Sequence, residues 1–181
     1  PVIIKGGYAG TDDTTLAADP VTTFNARDNS AFQSMVNVTT ATGAGTSNHF
    51  ERICFTRGYV RGLYKSGAAD ISFKNCRFYQ NGGLYNPNNA FTGVGANLTG
   101  TSAVEARFEE CLFDNNARTN YPGNRNTCMQ GPLYATGFKR LYVDNCNFYT
   151  NCAVFGISNE YGQDRQGVGA IYANAQPATI R

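Results

Sequence analysis

The chain has 181 residues, enough for one domain with a continuous apolar core, and 41% of them are hydrophobic. Only 15% are charged, and the 15 basic residues nearly balance the 13 acidic ones without forming a basic run, which argues against nucleic acid as a partner. No apolar stretch reaches the roughly 18 residues of a membrane-spanning helix, and the start lacks a signal-peptide pattern, so an exported form would carry its signal outside this segment or have lost it.

Three short strands are predicted near the start, at residues 2–4, 22–25 and 34–38. Asp12 and Asp13, between the first two, are interpreted as a turn. His49 precedes the next predicted strand and is the only histidine, which excludes any mechanism that needs two imidazoles. We expect an ordinary surface role for it.

The middle of the chain contains an internal repeat. Residues 73–81, 108–116 and 143–151 align without gaps at equal intervals, and a looser copy at 50–58 precedes the first by a shorter interval. Apolar residues alternate within each copy, but the parity breaks between Phe73 and Cys76. Each copy therefore predicts a strand, a bend, a second strand and another bend, which is typical of a coil in a solenoid.

Stacked coils would place equivalent side chains about 4.8 Å apart in columns. The expected columns are Phe78, Phe113 and Phe148 inside the coil, Cys76, Cys111 and Cys146 as buried thiols beside them, and Asn81, Asn116 and Asn151 as an amide ladder at the second bend. Asparagine suits a bend because it tolerates left-handed backbone angles. The first bend is placed at Asn75, Glu110 and Asn145, and Lys74, Glu109 and Asp144 are expected to form an outward salt-bridged ladder with Asp114 nearby.

A coil of about 23 residues holds three strands, so the longer coils carry loops of roughly 12 extra residues. Residues 82–89 and 119–127 are dense in turn formers and predict these loops. The candidate ligand-contact residues in them are Tyr85, Asn86, Asn88, Tyr121 and Asn124. Residues 95–98, 130–133 and 169–172 predict the third wall, with Leu98, Leu133 and Tyr172 aligned.

The three remaining cysteines and the final strand complete the chain. Cys128, in a loop, and Cys152, directly after the Asn151 bend, form a disulfide if the loop folds back, and otherwise remain thiols. Cys54 lies on the outward phase of its strand and is either free or paired between subunits. Residues 178–181 begin one more copy, with Ile180 aligned to Leu141 and Ala106.

These patterns predict an all-β protein, a right-handed parallel β-helix of about five to six coils with no large helices. Residues 1–181 are interpreted as a single β-helix block, either part of a longer chain or the unit of an end-to-end assembly through its terminal coils.

The repeat also carries a family resemblance. The Phe-x-x-Asn segments that begin at Phe78, Phe113 and Phe148 resemble the repeat of polymorphic outer membrane proteins, and Gly169-Ala170-Ile171 is similar to their Gly-Gly-Ala-Ile motif, although Val168 replaces the first glycine. The opening residues 5–11 resemble the Gly-Gly-Tyr start of large bacterial pectate-lyase-like surface proteins. The resemblance implies an extracellular or cell-surface protein.

The leading functional hypothesis is a noncatalytic β-helix scaffold, adhesin-like or a fibre subunit, whose partner is carbohydrate or a host or cell-surface protein. The alternative, implied by the resemblance, is a polysaccharide lyase or glycoside hydrolase of the pectate-lyase-like superfamily, in which acidic residues hold calcium. The leading hypothesis needs no catalytic residue, metal or cofactor.

Overall fold

A computed structural model of the chain describes residues 2–6, 22–26, 34–40, 45–58, 60–82, 95–116, 131–151, 170–174 and 177–181. In these ranges every regular element is a strand. The strands are β1 (Val2–Lys5), β2 (Thr22–Asn25), β3 (Ser34–Thr40), β4 (Ser47–Glu51), β5 (Ile53–Thr56), β6 (Arg61–Gly67), β7 (Asp70–Lys74), β8 (Arg77–Tyr79), β9 (Ala96–Thr99), β10 (Glu105–Glu109), β11 (Leu112–Asp114), β12 (Leu133–Thr136), β13 (Arg140–Asp144), β14 (Asn147–Tyr149), β15 (Ile171–Asn174) and β16 (Ala178–Ile180).

The strands form three sheets in which every neighbouring pair is parallel. Wall 1 has the order β1-β4-β7-β10-β13-β16, wall 2 is β14-β11-β8-β5-β2, and wall 3 is β15-β12-β9-β6-β3. Successive strands of the chain move from one wall to the next, so the backbone winds through stacked coils. The predicted parallel β-helix is confirmed, and with five to six strands in each sheet so is the predicted number of coils.

Phenylalanine columns fill the space between walls 1 and 2. In wall 2 the rings of Phe55, Phe78, Phe113 and Phe148 stack in succession with centroids 5.0, 4.6 and 4.7 Å apart. In wall 1 Phe50, Phe73 and Phe108 stack at 5.3 and 4.7 Å, and the two columns meet edge to face. Inward phenylalanines at one position per coil thus build a continuous core, because in-register strands superpose equal side chains.

Left-handed residues make the bends around wall 2. Asn75, Glu110 and Asn145 have φ of 51°, 53° and 49°, at the bends that the sequence predicts between walls 1 and 2. At the second bend the left-handed residues are Gln80, Asn115 and Thr150, with φ of 53°, 50° and 48°, each one residue before the predicted asparagine. The predicted role of Asn81, Asn116 and Asn151 as the left-handed residues is therefore wrong.

The asparagines of this second bend instead form a buried amide ladder. Asn81 Nδ2 donates to Asn116 Oδ1 at 3.1 Å, and Asn116 Nδ2 donates to Asn151 Oδ1 at 2.9 Å. The same amides donate to carbonyls of the preceding coil, Asn81 to Phe55 at 2.9 Å and Asn116 to Phe78 at 2.8 Å. Each side chain thereby satisfies backbone groups that the bend leaves unpaired.

Within the three gapless copies, the interval of 35 residues holds in walls 1 and 2 and fails in wall 3. Phe73 pairs with Phe108, Phe108 with Val143, and Phe78 with Phe113. In wall 3 Leu133 pairs with Ala96 and with Ile171, so its predicted alignment with Leu98 and Tyr172 is wrong. The predicted alignment of Ile180 with Leu141 is also wrong, since Ile180 pairs with Val143.

A lysine occupies a core position of wall 3. Lys65 lies in one inward column with Val38, Leu98 and Ala135, and its side chain is fully buried. Its Nζ donates to the carbonyls of Gly67 at 2.5 Å and Thr99 at 3.5 Å and lies 4.8 Å from the centre of the Phe138 ring. Burial lowers the pKa of Lys65 to about 8.

In the described part of the chain there is no helix with the length and hydrophobicity needed to cross a lipid bilayer.

Candidate functional site

The outer side of wall 3 carries a column of tyrosine and asparagine side chains, which we name the tyrosine face. Its members, in register from coil to coil, are Asn37, Tyr64, Asn97, Tyr134 and Tyr172. The half-buried rings of Tyr134 and Tyr172 stack at 5.0 Å with 9° between their planes. At the other end the guanidinium of Arg61 lies 5.1 Å from the centre of the Tyr64 ring.

A hydroxyl column runs beside the tyrosine face. It consists of Thr39, Ser66, Thr99 and Thr136, each two residues after a member of the tyrosine face. Side chains two residues apart in a strand project to the same side of the sheet, while the residues between them pack inward. Thr39 and Thr99 are exposed, so rings and hydroxyl groups lie side by side on one surface.

This combination suits contact with a sugar ring. Half-exposed tyrosine rings offer an apolar face for stacking, and threonine hydroxyls both donate and accept hydrogen bonds. A ring and a hydroxyl group occur together at Tyr64 with Ser66 and at Tyr134 with Thr136, whereas the Asn97 side chain in the coil between them is buried. The surface can therefore contact an extended polar polymer at two points, two coils apart.

The sequence-predicted ligand-contact residues lie outside the described residues. Tyr85, Asn86 and Asn88 belong to the connection from β8 to β9, and Tyr121 and Asn124 to the connection from β11 to β12. Both connections leave wall 2 and enter wall 3 in neighbouring coils, and the strands that they enter belong to the tyrosine face.

The predicted acidic grouping is only partly brought together. Lys74, Glu109 and Asp144 do share one outward column of wall 1, but Glu109 forms its ion pair with Arg107 at 3.2 Å. Asp114 lies on wall 2, where its carboxylate accepts hydrogen bonds from Arg77 at 2.8 Å and Thr150 at 2.7 Å. Its charge is thus balanced within its own wall.

These carboxylates do not fit a calcium site. Calcium needs six to eight oxygen ligands that converge on one point. Within the described ranges no group of three or more histidine, cysteine, aspartate or glutamate side chains is placed to hold a metal ion. The calcium chemistry that the lyase resemblance implies has no support among these residues.

His49 lies within β4, so its predicted place before a strand is wrong. Its Nδ1 lies 2.8 Å from Ser72 Oγ in the adjacent strand, and its Nε2 lies 3.7 Å from Glu51 Oε2. Burial acts to raise the pKa of Glu51, but the hydrogen bonds and charges of Lys5 and His49 outweigh it and lower that pKa.

The Ser72, His49 and Glu51 set has the residue types of a hydrolase triad but not its geometry. The 3.7 Å separation exceeds a hydrogen bond, and around Ser72 the backbone groups of β4, β7 and β10 pair in the parallel ladder rather than forming an oxyanion hole. We interpret the set as a cross-strand polar cluster.

The described cysteines are free thiols, namely Cys54, Cys76, Cys111 and Cys146. The last three share one inward column, in which Cys76 and Cys111 are buried and Cys146 is half-buried. Cys54 is buried although it lies on the outward phase, and burial raises its pKa to about 11. Cys128, Cys152, Asp12 and Asp13 lie outside the described residues.

Comparisons with protein-family models, with curated proteins and with solved structures find no match to this chain.

Sequence reasoning missed the tyrosine face. Asn97 and Tyr172 were predicted only as parts of third-wall segments. The predicted register, which was wrong, did not place them in one column with Tyr134. A usable signal was present, because a tyrosine or asparagine stands two residues before a serine or threonine at Tyr64, Asn97 and Tyr134. Aligning this short pattern, instead of the glycines before it, gives the observed register.

Proposed function

We propose that the chain is a noncatalytic extracellular or cell-surface β-helix scaffold of the adhesin type, which binds carbohydrate through the tyrosine face. The observation that carries the proposal is the stacked, half-exposed pair Tyr134 and Tyr172 beside the hydroxyl column. Parallel pairing fixes these side chains in advance, so little conformational entropy is lost when a polymer docks.

The resemblance to polymorphic outer membrane proteins and to pectate-lyase-like surface proteins supports the same location. The stacked Phe-x-x-Asn segments and their amide ladder are the features on which that resemblance depends. Labelling of intact source cells with an antibody against this chain tests the location, and labelling only after lysis would contradict it.

The experiment for binding is a glycan array probed with the whole chain. We expect Tyr134→Ala and Tyr172→Ala to weaken binding roughly tenfold each, since a ring stack contributes about 1–2 kcal/mol. Tyr149→Ala is the matched control, because Tyr149 is 66% exposed on the outer side of wall 2. Equal binding by Tyr134→Ala and Tyr149→Ala would refute the assignment to the tyrosine face.

The same assay separates the scaffold from the lyase or hydrolase alternative. Glycans that bind are incubated with the chain, with and without added calcium, and their ends are analysed. Recovery of intact glycan supports the scaffold. New unsaturated or reducing ends would show that the chain is an enzyme.

Self-association through the terminal coils is a second candidate, as expected of a fibre subunit. The exposed large apolar side chains of the described residues include Val2 and Ile3 in β1 and Ile180 in β16, the two edge strands of wall 1. An edge strand can pair with another chain. Sedimentation should show concentration-dependent assembly that Ile180→Lys reverses, and a monomer at all concentrations would contradict the candidate.

A further inference from the structure

The thiol column of Cys76, Cys111 and Cys146 combines three nucleophilic side chains that the proposed carbohydrate binding does not use. The corresponding residue of wall 2 two positions later is a phenylalanine in each coil, and these rings stack at 4.6 and 4.7 Å. The three thiols belong to the same coils and are therefore about one strand spacing apart.

The spacing of this column allows a disulfide between neighbouring coils. Disulfides join residues whose Cα atoms are roughly 4.4–6.8 Å apart, and in-register parallel strands, at about 4.8 Å, fall within this range. Cys146 Sγ is directed towards the preceding coil, since it accepts a hydrogen bond from the Cys111 N–H at 3.4 Å. Rotation of the Cys111 side chain towards Cys146 would bring the two sulfur atoms together.

The two thiols also differ in reactivity in a complementary way. Cys146 is half-buried, and its hydrogen bond with Cys111 lowers its pKa, which favours the nucleophilic thiolate. Cys111 is buried, and burial together with its two neighbouring thiols raises its pKa well above the ordinary value. The accessible thiol is thus the one that is more readily ionised.

We propose that Cys146 and Cys111 form a thiol–disulfide exchange site, in which Cys146 attacks a small-molecule disulfide and Cys111 resolves the adduct. The Cys146 thiolate forms a bond to one sulfur of the reagent and releases the other half as a thiol. Cys111 then loses its proton and attacks Cys146 Sγ, which releases the second thiol. The reagent is reduced to two thiols, and the protein gains one Cys111–Cys146 bond.

The new bond would fasten two consecutive coils. It closes a loop that contains residues 117–130, the segment with Tyr121 and Asn124. A cross-link of this loop length stabilises chiefly by restricting the unfolded chain. We expect the oxidised protein to unfold at a temperature higher by roughly 5–10 °C than the reduced protein.

The experiment uses the whole chain with Cys128→Ser and Cys152→Ser, which removes the two cysteines outside the described residues. Reduced protein is incubated with oxidised glutathione, and we expect the loss of two thiols and of two hydrogen atoms in mass. Tryptic fragments 108–118 and 141–165 should stay joined until a reductant is added. An adduct on Cys146 without this link, or a link from Cys111 to Cys76, would overturn the proposal.

Cys146→Ala and Cys76→Ala form the matched pair of variants. Cys146→Ala must abolish both the internal link and the oxidation-dependent rise in unfolding temperature, whereas Cys76→Ala, in the same column, must keep both. Glycan binding is measured separately on reduced and oxidised protein, so its failure would leave the exchange result standing. A rise that persists in Cys146→Ala would refute the site.

Discussion

Walls 1 and 2 differ from wall 3 in how strictly they repeat. In the three copies of the repeat, phenylalanine, cysteine and asparagine recur at a spacing of 35 residues along wall 2 and its bends and build columns of identical side chains. Wall 1 keeps the same spacing there, although Val143 follows Phe108 in its column. In wall 3 the interval from Leu63 to Ala96 is shorter than this and the interval from Ala96 to Leu133 is longer. The core of wall 3 also includes the polar side chain of Lys65. The comparison teaches that two repetitive walls are enough to hold the coil while the third varies.

The lengths of the connections explain how wall 3 varies without disturbing its neighbours. The connection from β8 to β9 is two residues shorter than that from β11 to β12. The connection from β9 to β10, residues 100–104, is in turn two residues longer than that from β12 to β13, residues 137–139. The differences cancel, so the wall 1 strands that follow, β10 and β13, both keep the spacing of 35 residues from their partners.

The largest effect is expected for the phenylalanine column, on which the strict walls depend. Phe113→Ala removes a fully buried ring stacked on both sides and should lower the free energy of unfolding by about 4 kcal/mol. Phe148→Ala, in the same column but half-buried, is the control and should lower the free energy of unfolding by less. Urea unfolding measures both, and equal losses would show that the column does not act through burial.

The amide ladder gives the next effect. Asn116→Ala deletes donors to Phe78 and Asn151 and an acceptor for Asn81, leaving several buried polar groups unpaired, and should cost about 3 kcal/mol. Asn147→Ala, exposed on the outer side of wall 2, should change stability by less than about 0.5 kcal/mol. If both variants unfold at the same urea concentration, the ladder does not stabilise the bend.

Wall 3 should respond to pH through Lys65. Below pH 8 this lysine is charged in both states, and its burial lowers stability. Between about pH 8 and 10.5 the folded state releases the proton and the unfolded state keeps it, so the free energy of unfolding should rise by about 2–3 kcal/mol.

Lys65→Met should lose this rise, whereas Lys74→Met, at an exposed lysine of wall 1, should keep it. The raised pKa of Cys54 acts in the opposite direction from about pH 9 to 11, because its unfolded thiol ionises first. Because Cys54 is present in the wild type and in both variants, its contribution cancels when their free energies of unfolding are subtracted at each pH. The remaining pH dependence belongs to the lysine. Parallel curves for the wild type and Lys65→Met would contradict the buried charge.

The smallest effect concerns the corner from wall 3 to wall 1. A Cβ at Gly100 would lie 2.5 Å from a carbon of the Phe138 ring, so Gly100→Ala should cost about 1–2 kcal/mol through overpacking. Combining it with Phe138→Leu should recover part of that loss. Thermal unfolding of the single and double variants checks this, and strictly additive losses would argue against the clash.

The fold could be predicted from the sequence because walls 1 and 2 repeat with little variation. The break of parity between Phe73 and Cys76 predicted the left-handed bend at Asn75, and the recurring phenylalanines and asparagines predicted which coils stack. The register of wall 3 could not be predicted from glycine positions, since the compensating connections shift it by two residues. The tyrosine face was missed for the same reason. The left-handed residues of the second bend were also assigned wrongly, because each of them lies one residue before the recurring asparagine.

The three connections that separate β8 from β9, β11 from β12 and β14 from β15 all depart from wall 2 and arrive at wall 3. Their lengths differ, yet the strands on either side remain in parallel pairing with those of the neighbouring coils. The scaffold is therefore a natural display frame for foreign peptides, in which a graft placed in one coil sits about 4.8 Å along the axis from a graft in the next. Two epitopes could be mounted at a separation set by counting coils, with no linker to design.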